Sequence, residues 1–246
     1  MTTKKIALIT GANRGIGFET ARQLGQQGIK VLIGARSEEK GLEAESTLKN
    51  EGLDAEYIHL DVNDPASHES AASFIGATYG RLDILVNNAG IFVDETIDGA
   101  PVPASATSGE VFRKTFDTNF FRTVELTQKL LPLIRKADAG RIVFLSSALG
   151  SLTLHSDPDS PIYNWKVPAY DISKTALNGY AVHLAQELRD TAIKVNAAHP
   201  GSVVTDMNAA GDIPVEEGAK TSVQLATLPA DGYSGRFVYQ GEELPW

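Results

Sequence analysis

Short runs rich in apolar residues alternate with longer polar segments along this chain, and this alternation is the feature that most constrains its fold. Strands of a parallel sheet produce such runs because they are buried on both faces. Seven runs fit this description, at residues 5–10, 30–35, 55–60, 82–86, 141–145, 193–198 and 236–239. The repeated strand–helix units predict one α/β domain over residues 1–246, with a doubly wound, parallel seven-stranded sheet and helices on both faces.

The segments between these runs have the boundary residues of helices. Ser37 is suited to cap one helix, and Pro65 is suited to begin another because proline is tolerated in the first turn. The predicted helices cover residues 18–27, 37–50, 65–79, 109–135, 170–189 and 215–226. Three stretches that lack such a pattern are predicted to be substrate loops, at residues 91–107, 148–168 and 202–214.

The first strand leads directly into a glycine-rich turn, which precedes the first helix. Glycine backbone allows close approach, and the helix N-terminus offers unpaired N–H groups and a favourable dipole to a phosphate. The spacing G-x-x-x-G-x-G differs from the usual dinucleotide fingerprint, but the strand–turn–helix context is the same. It predicts that a dinucleotide pyrophosphate binds to Gly11, Asn13, Arg14, Gly15, Ile16 and Gly17.

A tyrosine and a lysine stand four residues apart on the predicted helix 170–189. This spacing places Tyr170 and Lys174 on one helix face, within reach of each other. A free phenol has a pKa of about 10, and an adjacent cation lowers that pKa by favouring the charged form. Such a pair can donate a proton and take it back, although the same spacing is common on ordinary surface helices.

Five short motifs follow one another between the predicted elements. They are Thr10-Gly11 with Gly15 and Gly17, Asn87-Asn88-Ala89-Gly90, Ser147, Tyr170 with Lys174, and Pro200-Gly201. In this order, over essentially the whole chain, they resemble the short-chain dehydrogenase/reductase family. The glycine turn, Asn119-Phe120-Phe121 and the ending Leu244-Pro245-Trp246 are most similar to its carbonyl reductases. The resemblance implies a Rossmann-type fold and an enzyme that reversibly reduces ketones and aldehydes to alcohols.

The resemblance also implies a role for four side chains. Tyr170 would donate a proton to the substrate oxygen as hydride reaches the carbonyl carbon, and would accept it in reverse. Lys174 would lower the pKa of Tyr170 and bind the nicotinamide ribose. Ser147, preferred to Ser146 because the family's serine comes second in this pair, would polarise the substrate oxygen. Asn119 would hold a water that links Lys174 to solvent; the other interpretation is an ordinary polar helix residue.

The end of the second strand bears on the choice of cofactor. An NAD site places an acid there to bind the ribose 2′-hydroxyl, but this chain has no acid between Gly34 and Glu38 and carries Arg36 instead. A guanidinium suits a 2′-phosphate, and Arg14 could reach the same group, so we expect NADP(H). The resemblance implies further cofactor contacts at Asp61, Val62, Asn87, Ala89, Gly90, Tyr170, Lys174, Pro200, Gly201, Val203 and Thr205.

The stretch between Ser147 and Tyr170 bears on the substrate and on assembly. It is longer than in the common tetrameric members of the family and much shorter than the insertion of the monomeric carbonyl reductases, so monomer and homo-oligomer both stay open. Its apolar residues predict a pocket for hydrophobic or aryl ketones and aldehydes. The predicted wall consists of Phe92, Val93, Leu149, Ile162, Tyr163, Trp165, Val203 and Met207.

Two other functions fit the same motifs. A 3-oxoacyl-thioester reductase would be expected to carry a basic patch for an acidic carrier, which the net charge of -9 does not favour. A non-catalytic NADP-binding sensor needs the glycine turn but has no use for Ser147, Tyr170 and Lys174 together. Because a fold by itself does not decide the function, these three side chains favour an enzyme.

Composition limits the remaining classes. The same negative charge argues against nucleic-acid binding, which needs a basic face, and a chain without cysteine forms no disulfide or thiolate metal site. His155, Asp157 and Asp159 are close in sequence but lack regular ligand spacing, so we expect no metal. Neither a membrane-spanning stretch nor a signal peptide is recognisable, so we expect a cytoplasmic protein and no membrane partner.

Overall fold

The computed structural model describes residues 4–97 and 100–246, so Asp98 and Gly99 of the predicted loop 91–107 lie outside the described residues. The strands are β1 (Ile6–Thr10), β2 (Lys30–Ala35), β3 (Ala55–His59), β4 (Ile84–Asn87), β5 (Thr96–Ile97), β6 (Ala100–Pro101), β7 (Arg141–Leu145), β8 (Lys194–Ala198), β9 (Phe237–Tyr239) and β10 (Glu242–Glu243). The α-helices are α1 (Gly15–Gln26), α2 (Glu38–Asn50), α3 (Pro65–Tyr79), α4 (Gly109–Phe116), α5 (Arg122–Ile134), α6 (Leu152–Ser156), α7 (Pro168–Glu187) and α8 (Val215–Ala226).

The central sheet confirms the predicted doubly wound α/β architecture. Its strand order is β10-β9-β8-β7-β4-β1-β2-β3, and the seven predicted strands are all parallel. The sequence-based count of seven is one short, because β10 adds a two-residue antiparallel edge strand beside β9. Gln240 and Gly241 make the reversal possible, since both have positive φ angles, as a two-residue hairpin turn requires. The pair β5–β6 forms a separate small hairpin.

Both faces of the sheet are buried, as the apolar runs predict. Successive side chains of a strand point to opposite faces, so Leu8 belongs to one apolar cluster and Ile9 to the other. Leu32 and Ile33 divide in the same way on the neighbouring strand. Helices α3, α5 and α7 contribute to the first cluster, and α1, α2 and α8 contribute to the second.

One long predicted helix is interrupted. The expected helix 109–135 is divided into α4 and α5 by a π-helical segment, Asp117–Phe121, which contains Asn119. A π-helical turn inserts an extra residue into the helix and is frequently found at functional sites. Hydrophobic periodicity did not reveal it, because the apolar positions on both sides keep a helical spacing.

The sheet order determines where a ligand can bind. β1 leads to β2 on one side, whereas β4 lies on its other side, so the chain changes direction between β1 and β4. In open α/β sheets such a switch point leaves a crevice at the carboxyl ends of the strands. The glycine turn after β1 and the segment after β4 border that crevice.

Candidate active site

The glycine turn has the geometry that close approach of a ligand requires. Gly11 and Gly15 have φ angles of 64° and 56°, a region that favours glycine. At Gly17 an added Cβ would lie 2.4 Å from the side-chain nitrogen of Asn88 and 2.6 Å from the carbonyl oxygen of Gly11. Asn88 also donates to the carbonyl oxygen of Thr10 across 2.8 Å. The turn is therefore fixed against the end of β4 with bare backbone facing the crevice, which fits a dinucleotide phosphate.

A cleft of about 970 Å³ opens at this carboxyl edge. Every residue predicted to bind cofactor lines it except Asn87; these are Gly11, Asn13, Arg14, Gly15, Ile16, Gly17, Arg36, Asp61, Val62, Ala89, Gly90, Tyr170, Lys174, Pro200, Gly201, Val203 and Thr205.

Asn87 lies outside this lining. Its side chain is buried and donates to the hydroxyl of Thr127 on α5 across 3.1 Å. Asn88, the next residue, lines the cleft instead. The two asparagines are adjacent at the end of β4, where successive side chains point in opposite directions, and the sequence motif does not say which one faces the ligand.

The two arginines considered for the 2′-phosphate have different surroundings. Arg14 forms an ion pair with Asp206, with 2.5 Å between Nη1 and Oδ2, so the glycine turn is bridged to the loop 202–214. Arg36 lines the cleft just after β2 and, among residues 4–97 and 100–246, has no ion-pair partner. Arg36 is therefore the better placed of the two to bind an additional anionic group.

Helix α7 brings the predicted Tyr–Lys pair to the same cleft. The Lys174 ammonium lies 5.5 Å from the ring centre of Tyr170. Ser147, which follows β7, also lines the cleft, and its hydroxyl is close enough to the Tyr170 phenol to lower the pKa of that phenol. Ser147 Oγ accepts from the amide of Leu149 across 3.2 Å, which leaves its hydroxyl hydrogen available for donation. Ser146 also lines the cleft, but its hydroxyl is buried and has no partner among the described residues.

Burial dominates the proton affinities in this group. It raises the pKa of Tyr170 well above its usual range; the Asp171 carboxylate also raises it, and the neighbouring Ser147 hydroxyl acts in the opposite direction. Burial also lowers the pKa of Lys174 to about 8. The expected depression of the Tyr170 pKa by Lys174 is thus not found in the protein alone, because desolvation disfavours the charged form of both groups.

The side chain of Asn119 is turned inward by the π-helical segment. It is 1% exposed, its oxygen accepts from the amide of Ile91 across 2.8 Å, and its nitrogen donates to the carbonyl oxygen of Ile91 across 3.0 Å. A second donation reaches Ser173 Oγ across 3.1 Å. An added Cβ at Gly90 would lie 3.2 Å from Asn119 Oδ1 and 3.7 Å from Lys174 Nζ. Asn119 is therefore no ordinary surface residue.

Most of the predicted apolar wall is assembled at the cleft. Phe92, Leu149, Ile162, Trp165, Val203 and Met207 line it. Val93 and Tyr163 do not belong to the lining, and Tyr163 instead lies 5.0 Å beneath the ammonium of Lys166. The three predicted loops each contribute residues, so the wall is built from segments that are far apart in the chain.

His199 connects two parts of the site in a way that the sequence did not reveal. Its Nδ1 accepts from the amide of Ala148 across 3.1 Å and from the amide of Gly201 across 3.4 Å. Burial lowers its pKa to about 4, so the ring is neutral at physiological pH. In the sequence His199 only precedes Pro200, which is predicted to contact the cofactor, and no residue pattern indicates its two backbone partners.

Another titratable cluster near the site surrounds Asp171. His155 Nε2 lies 3.3 Å from Asp171 Oδ2 and 2.9 Å from the carbonyl oxygen of Leu149. Burial raises the pKa of Asp171 to about 7 and lowers that of His155. Within residues 4–97 and 100–246, no three His, Asp or Glu side chains are arranged to hold a metal ion.

The cleft, the glycine turn and the three polar side chains define a class of protein that sequence comparison identifies independently. A family model described as short chain dehydrogenase matches residues 5–212, and the chain belongs to that family of oxidoreductases. In the part of the chain that the structure describes, none of the helices combines the length and apolarity needed to cross a membrane.

Individual relatives extend the similarity over nearly the whole chain. (+)-Neomenthol dehydrogenase of Arabidopsis thaliana is 36% identical, over 92% of this chain and 93% of its own. Carbonyl reductase [NADPH] 1 of Rattus norvegicus is 35% identical, over 99% of each chain. The solved structure of salutaridine reductase from Papaver somniferum has a TM-score of 0.82 at 31% identity, covering 96% of this chain and 100% of that one. These comparisons confirm that the chain is close to the carbonyl reductases.

Proposed function

We propose that this enzyme reduces the carbonyl group of hydrophobic ketones and aldehydes, reversibly, with Tyr170 as the proton donor. The chain is an NADP(H)-dependent member of its family. One observation carries the proposal: Ser147, Tyr170 and Lys174 converge in the same cleft as the glycine turn. A sensor protein would need the glycine turn without these three side chains.

Different residues of the cleft would bind different parts of the cofactor. The glycine turn would hold the pyrophosphate, Arg36 the 2′-phosphate, Asp61 and Val62 the adenine, and Lys174 the nicotinamide ribose. Bound NADPH supplies the hydride. The apolar lining excludes water from the carbonyl and strengthens the hydrogen bonds made to it.

The proton is handled by the protein's own side chains. As the carbonyl carbon is reduced, negative charge develops on its oxygen, and the hydroxyl of Ser147 stabilises that charge by donating a hydrogen bond. The Tyr170 phenol then transfers its proton to this oxygen to give the alcohol. The neighbouring Lys174 ammonium stabilises the phenolate that is left. In the reverse direction the phenolate takes the proton from the alcohol.

The lining also supports the choice of substrate. Phe92, Leu149, Ile162 and Trp165 present apolar surface to the cleft that Tyr170 also lines, and Phe92 packs against the Tyr170 ring with 5.3 Å between the ring centres. Ligand pockets of this composition gain affinity from burial of apolar area and orientation from a few polar groups. We propose small hydrophobic or aryl carbonyl compounds as substrates, encountered in the cytoplasm.

The proposal can be tested by following NADPH oxidation with a panel that contains aryl ketones, aliphatic aldehydes and polar sugars. We expect turnover of the apolar members and loss of at least about a hundredfold in kcat for Tyr170→Phe. This variant removes only one oxygen, so NADPH binding should be retained. Wild-type rates in Tyr170→Phe would refute the proton-donor role, and equal turnover of sugars and aryl ketones would refute the substrate class.

A further inference from the structure

Asp94 binds the backbone of the residue that carries the reactive phenol. Its Oδ1 accepts from the amide of Ala169 across 2.8 Å, and its Oδ2 accepts from the amide of Tyr170 across 3.0 Å. Asp94 is 75 residues before Ala169 in the chain, in the segment that follows β4. A carboxylate with both oxygens bonded to consecutive amides fixes the beginning of a helix more firmly than a single bond does.

Helix α7 has no cap of its own that could replace this carboxylate. Its N-cap residue is Val167, whose side chain makes no capping hydrogen bond, and Pro168 has no N–H to offer. The next two amides are those of Ala169 and Tyr170, the positions that an N-cap side chain normally satisfies. Asp94 therefore supplies from a distant segment what the local sequence does not provide.

The backbone carbonyl oxygen of Tyr170 is connected to the same segment by a chain of hydrogen bonds. Ser173 Oγ donates to the carbonyl oxygen of Tyr170 across 2.7 Å and accepts from Asn119 across 3.1 Å. Asn119 also makes two hydrogen bonds to the backbone of Ile91, three residues before Asp94. Phe92, which lies between Ile91 and Asp94 in the sequence, packs against the ring of Tyr170 with 5.3 Å between the ring centres. Segment 91–94 thus contacts Tyr170 at its amide and its ring, and reaches its carbonyl through two side chains.

We propose that Asp94 is a positioning residue: it aligns the Tyr170 phenol for proton transfer by fixing the first turn of α7 to segment 91–94. This inference rests on the proposed role of Tyr170 as proton donor. Asp94 does not line the cleft, so it acts through Tyr170 and makes no contact with substrate. Because Phe92 belongs to the apolar wall, the same segment also connects the substrate pocket to the proton donor.

The test compares Asp94→Ala with Asp94→Asn in the full-length enzyme. Both variants remove the charge, but only asparagine keeps an oxygen that can accept one of the two amide bonds. We expect kcat to fall by about tenfold or more in Asp94→Ala, with a smaller loss in Asp94→Asn, because a small misplacement of a reacting group slows the chemical step. The Kd for NADPH should stay within about twofold of the wild-type value, since the glycine turn and Arg36 are untouched.

A kinetic isotope effect separates positioning from general destabilisation. With NADPH deuterated at the transferred position, the isotope effect on kcat should increase in Asp94→Ala if the chemical step has become slower. Asp64→Ala is the matched control, because Asp64 caps α3 by accepting from the amide of Ala66 across 3.0 Å and lies outside the cleft lining. Asp64→Ala should lower Tm about as much as Asp94→Ala does, because each variant removes a carboxylate that caps a helix. Unlike Asp94→Ala, it should leave kcat and the isotope effect unchanged.

The possible results have distinct meanings. A wild-type kcat in Asp94→Ala, or a decrease that merely matches a lower fraction of NADPH-binding protein with an unchanged isotope effect, would overturn the positioning role. The Tyr170→Phe variant is measured beside it. If that variant is inactive while Asp94→Ala is fully active, only the positioning role fails; if Tyr170→Phe is active, the proposed function fails first.

Discussion

Lys174 donates a hydrogen bond to the carbonyl oxygen of Leu145 across 2.7 Å, which fastens α7 to the carboxyl end of β7. Ser147 stands two residues after Leu145, so this bond joins the helix that carries Tyr170 to the strand that leads to the serine. Thr175 of the same helix donates to the carbonyl oxygen of Gly150 across 3.0 Å, which adds a second connection. A buried ammonium with a backbone acceptor has a fixed position but keeps donors available for a further partner.

The first prediction concerns this ammonium. Lys174→Met keeps an unbranched side chain of similar size and removes the charge and the donor. We expect kcat to decrease by about a hundredfold or more, because the Tyr170 phenolate loses its stabilising cation. We also expect Tm to stay the same or rise, because replacing a buried charge with an apolar group is often neutral or stabilising.

Steady-state kinetics and a melting curve on the same preparation check both parts. A fall in activity that accompanies a large fall in Tm would show that Lys174 is needed mainly for folding. Activity that is lost while Tm is maintained would agree with a role in the reaction.

The second prediction separates the two adjacent serines. Ser147→Ala removes the hydroxyl that faces the cleft and should lower kcat by about ten- to a thousandfold, as loss of a donor to a developing oxyanion does. Ser146→Ala removes a buried hydroxyl that has no partner in the described chain, so it should leave kcat near the wild-type value. The measurement is kcat with a saturating apolar ketone. If Ser146→Ala instead has the larger effect on kcat, the hydrogen-bond donor to the substrate oxygen is Ser146.

The third prediction concerns cofactor preference. Arg36→Asp replaces the cleft guanidinium with the acid that an NAD site carries, so the preference should shift towards NADH. A charge-assisted hydrogen bond contributes about 1.5–3 kcal/mol, which corresponds to a change of about ten- to a hundredfold in the ratio of kcat/KM values. Lys40→Asp makes the same change of charge on α2, outside the cleft lining, and is the control. An unchanged ratio in Arg36→Asp would contradict the assignment.

The fourth prediction concerns stability and pH. The Asp171 carboxyl has a pKa of about 7 in the folded protein, chiefly because of burial, against an ordinary value of 3.8. Between these two values the folded protein binds more protons than the unfolded chain, so this group makes stability fall as pH rises through the window.

Asp171→Asn should remove that dependence, because the amide keeps an oxygen for the Val167 N–H and carries no charge. Above pH 7 we expect the variant to be more stable than the wild type, by about 1.4 kcal/mol for each unit by which folding raises the pKa of Asp171. One kcal/mol corresponds to about 2–4 °C in Tm for a chain of this size. Below pH 3.8 the stabilities of the variant and the wild type should be equal, because the Asp171 carboxyl is then protonated in both the folded and the unfolded chain. Melting curves on both sides of the window measure this difference in stability. Asp157→Asn, which makes the same replacement in the loop before α7, is the control. A constant difference at every pH would contradict the prediction.

Local signals in the sequence predicted the parallel sheet and its helices, although they did not predict β10 or the π-helical segment. Each strand of the parallel sheet is a short apolar run because both faces are buried, and each turn that needs a special backbone carries glycine or a capping residue. The glycine turn, the Tyr170–Lys174 spacing and the Asn-Asn-Ala-Gly motif after β4 are likewise short patterns, and the residues that they assigned to the cofactor line the cleft, with the exception of Asn87.

Contacts between distant segments were decided only by the tertiary structure. Whether Asn87 or Asn88 faces the ligand depends on how β4 packs against α5, and the pairing of Arg14 with Asp206 depends on a loop about 190 residues away. Asp94 gave no signal of its own, since a single aspartate in a loop becomes a helix cap only when α7 is placed beside it. The sequence by itself determined the elements and the chemistry they carry, because both are encoded over a few neighbouring residues. Tertiary packing decided which groups are neighbours, because burial and hydrogen bonding act between parts of the chain that sequence order keeps apart.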